Sequence, residues 1–230
     1  MPEQIKEYHG FLNSFALKCI AMVTMLIDHT GMMLFPQNMI LRMIGRLAFP
    51  IYCFLLVEGA VHTSNWKKYL ERLFLFALIS EIPFNLAVAG AIRYPYAQNV
   101  FFTLFLGLAA ILILKYQSKE EKRVIFTGIK GILVLALVLL AELISADYGA
   151  GGVIFILIFY VFRSQLLMKS TVFAAAVVFL YGGIENFAIL SLAPILCYNG
   201  KRGPGVLKYF FYIFYPAHLL LLYLLKRYVL

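Results

Sequence analysis

The feature that most constrains this chain is a repeated pattern of long apolar segments, which begins near residue 15 and continues to the C-terminus. The hydrocarbon core of a bilayer is about 30 Å thick, and a helix of about 20 residues crosses it. Hydrophobic residues make up 63% of the 230 residues and charged residues only 13%, unlike the composition of a soluble domain. The pattern therefore predicts an all-α, polytopic integral membrane helical bundle and excludes soluble, disordered and repeat-scaffold proteins.

Nine segments are candidates for transmembrane helices. They are residues 15–35, 40–61, 69–89, 99–115, 129–146, 150–162, 171–184, 186–198 and 209–225. The seventh and eighth are short, so a single long span over 171–198 is the alternative to two spans. We expect residues 1–230 to form one transmembrane domain. We also expect the first segment to be retained as a helix, because no small-residue cleavage signature follows it.

The distribution of lysine and arginine favours nine spans and predicts their orientation. Positive residues accumulate on the cytoplasmic side of a membrane protein. With a cytoplasmic N-terminus, nine spans place fifteen basic residues inside and only Arg93, Lys226 and Arg227 outside, with Arg42 and Arg46 inside the second span. We therefore expect a bacterial cytoplasmic membrane protein with its N-terminus in the cytoplasm. The net charge of +9 is explained by this asymmetry, and no nucleic-acid partner is expected.

Polar side chains inside the predicted spans are the candidates for a functional site, because placing them in a membrane is costly. They fall at similar predicted depth, in the outer halves or at the outer ends of their spans: Asp28, His29, Arg42, Arg46, Glu81, Asn85, Gln98, Asn99, Glu142, Asp147, Glu185 and Asn186. The functional interpretation is an outward-facing polar pocket. The alternative is that Asp28 only neutralises one of the two arginines. Asp28 and His29 point about 100° apart on a helix, so a different helix could orient the imidazole.

Two further features have both a functional and a structural interpretation. His218, two residues after Pro216, either contacts a ligand or is a packed core histidine. The loop from residue 199 to residue 205 combines glycines with Lys201 and Arg202, which suits phosphate binding. The same loop can instead serve only to fix the topology. The cysteines and histidines lack metal-ligand spacing, so no metal is expected.

Motifs spread over most of the chain resemble those of the TraX family of membrane proteins. They are Leu26–Gly31, Leu41–Pro50, Glu58–Gly59 with His62–Thr63, Ser80–Asn85, Gln98–Thr103, Asp147–Gly149, Tyr198–Gly203 and Phe214–His218. The family is in turn similar to a broader group of transmembrane acyltransferases. In that group, cytosolic acetyl-CoA serves an acceptor on the far side of the membrane.

The resemblance implies an acetyl-CoA-dependent N- or O-acetyltransferase in which His29 is the catalytic base. Asp28 or Glu81 would hold the imidazole, and Arg42 and Arg46 would stabilise the oxyanion or bind an acidic acceptor. We further expect Glu81, Asn85, Asn99 and His218 to contact the acceptor, and Lys201 and Arg202 to contact the CoA phosphates. The acceptor itself is left open among a peptide amine, a glycan and a lipid.

Two other functions fit the same buried charges. A transporter or flippase for an acidic or lipid-linked substrate would use them equally well, although the two halves show no convincing inverted repeat. A non-catalytic assembly partner is the third possibility, against which the intact Asp28, His29 and both arginines argue.

Overall fold

The computed structural model describes residues 10–116, 123–204 and 208–229, and helices make up the regular structure of this part of the chain. The helices are α1 (Ser14–Leu34), α2 (Met39–Gly45), α3 (Ala48–His62), α4 (Trp66–Ala89), α5 (Val100–Lys115), α6 (Arg123–Leu143), α7 (Gly149–Val161), α8 (Leu166–Leu180), a 3₁₀ helix (Gly183–Ser191), α9 (Leu192–Leu196) and α10 (Lys208–Tyr228). The predicted all-α bundle is confirmed.

Five stretches of the described chain are long and apolar enough to cross a membrane. They are Ser14–Leu34, Met39–His62, Trp66–Ala89, Phe126–Leu143 and Tyr209–Tyr228. Four further apolar helical stretches are shorter: Val100–Lys115, Gly149–Val161, Leu166–Leu180 and Gly183–Leu196. Each of the nine predicted segments overlaps one of these stretches, so the apolar pattern located all nine of these apolar helices in the described chain.

Asparagine side chains cap the N-termini of four helices. Asn13, Asn38, Asn65 and Asn99 each accept a hydrogen bond from a backbone N–H in the first turn of α1, α2, α4 and α5. These N–H groups have no partner within the helix, and a short amide side chain is among the best groups to satisfy them. At α1 the cap is Asn13, which directly precedes the first apolar helix.

The second predicted segment is divided into α2 and α3 by a turn at Arg46 and Leu47. Proline 50 explains the division, because it has no N–H to donate to the carbonyl of Arg46 and its ring crowds that carbonyl. The helix therefore restarts with Pro50 in the first turn of α3, where a missing N–H costs little. The turn places Arg46 at the junction of two helices.

The predicted bounds differ most at α6, which covers Arg123–Leu143 rather than 129–146, and in the chain from residue 166 onward. Helix α8 covers Leu166–Leu180 rather than 171–184, and the predicted eighth span is a 3₁₀ helix followed by the five-residue α9. Gly182 and Gly183 separate them with φ values of 67° and 53°, a conformation that glycine adopts without a Cβ penalty. Residues 171–198 therefore form two helical segments.

Helix α3 is the centre of the bundle and is buried along most of its length. It packs against α1, α5 and α7, while α10 packs against α1 and α4. Helix α6 lies at the periphery, because only 6% of its apolar stretch Phe126–Leu143 is buried. This arrangement leaves space between α1, α3, α4, α5 and α10.

Candidate functional site

A cavity of about 850 Å³ lies between α1, α3, α4, α5 and α10. Along α1 its lining extends from Ser14 to Met32, which corresponds to about 27 Å at about 1.5 Å of rise per residue. That length is close to the thickness of the hydrocarbon core of a bilayer, about 30 Å. The cavity therefore runs through most of the depth of the bundle.

The lining of the cavity differs between its two ends. We call one end the ionic end; it is lined by Asp28, His29, Arg42, Arg46 and Asp147. We call the other the basic end; its lining includes three cations and one carboxylate, Lys18, Arg72, Arg202 and Glu58, together with His62. Between them the lining is apolar and aromatic, and includes Met25, Tyr52, Leu56, Phe101 and Tyr215.

Asp28 joins the two arginines at the ionic end. Its Oδ2 lies 2.8 Å from Nη1 of Arg42, and both of its carboxylate oxygens lie 2.6 Å from Nη2 of Arg46. Nη1 of Arg46 lies 2.6 Å from Oε1 of Glu185, which follows the break after α8. The side chain of Arg46 is 8% exposed and that of Arg42 is 26% exposed. Arg46 is thus held between two carboxylates, whereas Arg42 lines the cavity with a side chain that is partly exposed.

His29 pairs with His218 rather than with Asp28 or Glu81, the partners expected from the sequence. Nδ1 of His29 lies 2.6 Å from Nε2 of His218, and Nδ1 of His218 lies 2.7 Å from the carbonyl oxygen of Phe214. The sequence analysis had left open that a different helix orients the imidazole, and His218 on α10 has this position. His29 lines the cavity, whereas His218 is 4% exposed and stands behind it.

The loop after α6 brings a further carboxylate to the ionic end. Burial raises the pKa of the Asp147 carboxyl to about 6, and the nearby Arg46 opposes that rise. Thr103 donates a side-chain hydrogen bond to the carbonyl of Asp147, and Tyr148 has a φ of 63° with its ring stacked on Phe49. Left-handed backbone at a tyrosine is strained and is found mostly where surrounding structure imposes it. Asp147 was among the polar residues that the sequence placed at the predicted pocket, whereas Tyr148 belongs to a quoted motif and had no assigned site role.

Glu81, Asn85 and Asn99 form a separate cluster that is not part of the described cavity lining. Nδ2 of Asn99 lies 2.7 Å from Oε2 of Glu81, while Asn99 also caps α5. Nδ2 of Asn85 donates to the carbonyl of Ile92, 3.2 Å away. These bonds fasten α4 to α5 and to the loop between them.

The loop that contains Lys201 and Arg202 lies at the basic end. Leu12 pairs with Tyr198 as an isolated parallel bridge, and the N–H of Ser14 donates to the carbonyl of Lys201 at 2.9 Å. This pairing fastens the loop to the start of α1. Arg202 lines the cavity, and Lys201 is not part of the described lining.

Two other cations at the basic end were treated from the sequence only as indicators of topology. Lys18 lies over the ring of Phe211, and Arg72 lies over the ring of Tyr69 with its Nε buried and without a partner in the described chain. The sequence signal that could have identified them is their position: each lies in the second turn of an apolar helix. Among the described residues, no group of three or more metal-ligating side chains is close enough to hold a metal ion.

Comparison with known proteins gives a consistent assignment. The sequence matches the family described as TraX protein over residues 14–226. It is 30% identical to a probable fimbrial assembly protein, FimC of serogroup H1, from Dichelobacter nodosus, over 91% of this chain and 94% of that protein. It is 28% identical to an uncharacterized protein of Rickettsia prowazekii over 44% of this chain and 46% of that protein. No solved structure matches the chain.

Proposed function

This chain belongs to the TraX family, and on that premise we propose that it is a membrane acyltransferase that moves an acetyl group from acetyl-CoA to an acceptor across the membrane. The acceptor group would be an amine or a hydroxyl. In a bacterial cytoplasmic membrane with a cytoplasmic N-terminus, the basic end would face the cytosol. The ionic end would face the acceptor.

The observation that carries the proposal is the single cavity that joins His29 to three cations. Acetyl-CoA has a polyanionic nucleotide end and a thioester at the end of a long, flexible pantetheine arm. Lys18, Arg72 and Arg202 suit the phosphates, and the apolar and aromatic middle suits the arm. The thioester would then lie beside His29. A site open to only one side of the membrane could not bring acetyl-CoA from the cytosol together with an acceptor on the other side.

The residues at the ionic end supply the groups that acyl transfer needs. His29 would take the proton from the attacking amine or hydroxyl, because an imidazole titrates near neutral pH. Arg42, with its partly exposed side chain in the cavity lining, would stabilise the negative charge that develops on the carbonyl oxygen. Asp28 and Glu185 would act on the reaction indirectly, by holding the two arginines.

The proposal is tested by radiolabelled acetyl-CoA with the purified protein and an isolated envelope fraction as the source of acceptors. We expect the protein to bind acetyl-CoA and to transfer label. Removal of a general base typically lowers a rate by roughly 10²- to 10⁴-fold, so His29→Ala should bind acetyl-CoA and transfer almost none. The matched control is Cys19→Ala, on the same helix but outside the described lining of the cavity, which should bind acetyl-CoA and transfer label like the unaltered protein.

Two outcomes contradict the proposal: an unaltered protein that does not bind acetyl-CoA, or full transfer by folded His29→Ala. A continuous cavity also favours a transporter or flippase for an acidic or lipid-linked substrate. That function predicts movement of such a substrate across reconstituted vesicles without any transfer of label. The name of the Dichelobacter nodosus relative makes fimbrial proteins a reasonable first fraction to test as acceptor.

A further inference from the structure

The buried ring of His218 gives His29 a defined hydrogen-bonding partner behind the cavity. The contact joins Nδ1 of His29 to Nε2 of His218 at 2.6 Å. No described residue forms a hydrogen bond with Nε2 of His29, and His29 lines the cavity. We propose that His218 is a positioning residue that fixes the tautomer of His29, with the proton on Nδ1 and the lone pair of Nε2 available to the cavity.

The tautomers follow from the chain of contacts, starting at the backbone. The carbonyl oxygen of Phe214 can only accept, so Nδ1 of His218 carries the proton in their 2.7 Å contact. A neutral imidazole has one N–H, and Nε2 of His218 is therefore an acceptor. The proton between the two rings then belongs to Nδ1 of His29. Nε2 of His29 is left unprotonated, as a general base requires.

The other protonation states of His218 are unfavourable at this position. The opposite neutral tautomer would direct a nitrogen lone pair at the carbonyl oxygen of Phe214. A doubly protonated ring would place a positive charge in a 4% exposed site, and no described carboxylate pairs with His218. A neutral His218 that donates through Nδ1 is the state that satisfies every contact.

Aromatic packing keeps the two imidazoles in this arrangement. The ring of His218 stacks on that of Phe214 with centroids 4.8 Å apart and planes 13° from parallel. Tyr215 packs edge-on against both histidines, at 6.2 Å from His29 and 5.9 Å from His218. Rotation of either ring would disturb several contacts, so the pair is pre-organised before any substrate arrives.

The role of this pair in catalysis rests on the proposed acetyl transfer. As the acceptor nitrogen or oxygen bonds to the acetyl carbon, its proton moves to Nε2 of His29, and the carbon–sulfur bond breaks. The proton then passes to the leaving thiolate. While His29 is charged, its Nδ1–H remains hydrogen-bonded to Nε2 of His218, and such charge-assisted bonds are about twice as strong as neutral ones.

Nitrogen NMR of isotope-labelled histidine in the intact protein, reconstituted in lipid, tests the tautomer without any assay of activity. We expect His29 to show a protonated Nδ1 and an unprotonated Nε2. His218→Phe keeps a ring but removes the acceptor, so the Nε2-protonated tautomer of His29 should become populated. His218→Gln places a carbonyl oxygen near the former Nε2 and should restore the Nδ1-protonated form. A His29 protonated on Nε2 in the unaltered protein overturns the proposal.

Steady-state kinetics give the second measurement. Loss of the hydrogen-bonding partner that orients a metal-ligating histidine typically costs roughly 10- to 100-fold, and we expect His218→Phe to lower kcat by a similar factor. The KM for acetyl-CoA should not change, because His218 does not line the cavity. His218→Gln should recover most of kcat. Unchanged kcat in His218→Phe overturns the positioning role. An absence of transfer by every protein would instead contradict the proposed function, while the NMR result would still decide the tautomer.

Discussion

At the scale of single residues, the ionic end depends on a glycine that lets two helices approach. A Cβ placed on Gly45 would collide with the carboxylate and Cβ of Asp28. Asp28 is 7% exposed and compensates both arginines. Removing a partner from a buried ion pair is strongly destabilising, because the remaining charge stays buried without compensation.

We therefore predict that Gly45→Ala destabilises the protein by roughly 3 kcal/mol, the order of a broken buried ion pair. Thermal unfolding in detergent measures the effect. Gly131→Ala is the matched control, since a Cβ at that position of α6 would meet no described atom within 4 Å beyond its chain neighbours and the adjacent backbone of its own helix. Alanine there should be neutral or stabilising by at most about 1 kcal/mol. Equal melting temperatures for the two variants would contradict the close approach of Gly45 to Asp28.

At the scale of elements, the pairing of residues 197–201 with the start of α1 decides which cation of the loop reaches the cavity. The N–H of Leu12 donates to the carbonyl of Cys197, and the N–H of Asn199 donates to the carbonyl of Leu12. These bonds set the direction of the following residues. Arg202 lines the cavity, and the adjacent Lys201 does not belong to the described lining.

Two neighbouring residues of equal charge thus provide a matched pair for the proposed CoA site. We predict that Arg202→Ala weakens acetyl-CoA binding by roughly tenfold at low salt, as expected for a lost contact of about 1.4 kcal/mol. The loss should shrink at high salt, because ions screen such contacts. Lys201→Ala should change binding less. Calorimetric titration of both variants at two salt concentrations measures this, and a larger effect from Lys201 would contradict the assignment of Arg202.

At the scale of the whole molecule, α1 and α10 both begin at the basic end of the bundle. Phe15 packs on Phe211, and His29 meets His218 further along both helices. The two helices therefore run in the same direction. The C-terminal end of α10 then lies at the opposite end of the bundle from the start of α1.

We predict that the N-terminus and the 115–130 loop are cytoplasmic and that the C-terminus is external, as the distribution of Lys and Arg indicates. Single cysteines at positions 119 and 228, in a protein without its three native cysteines, should react with a membrane-impermeant thiol reagent from opposite sides. Position 119 lies outside the described residues, so its prediction rests on the sequence. Labelling of both positions from the same side would contradict the predicted orientation.

The sequence alone determined the helices, because the signals for a helix in a membrane are local. Apolar length, an asparagine cap or a proline acts within a few residues, and all nine predicted segments overlap an apolar helix. Local signals also identified Asp28, His29, Arg42 and Arg46 as unusual, since their cost in a membrane depends on residue type and depth. The bounds of α6 and α8 were less accurate, and the chain leaves both helices through residues at positive φ, Ser145 after α6 and Gly182 after α8.

Only the tertiary structure decided which of these side chains meet. His29 contacts a histidine 189 residues away, and Arg46 contacts a glutamate 139 residues away, so no local pattern specifies either pair. Glu81, Asn85 and Asn99 had the same signal in the sequence as the ionic residues, yet they fasten α4 to α5. The physical reason is that burial of a polar group requires a partner but does not specify which one. Helix packing brings the partners together, and it alone divides the polar residues between the cavity and the framework around it.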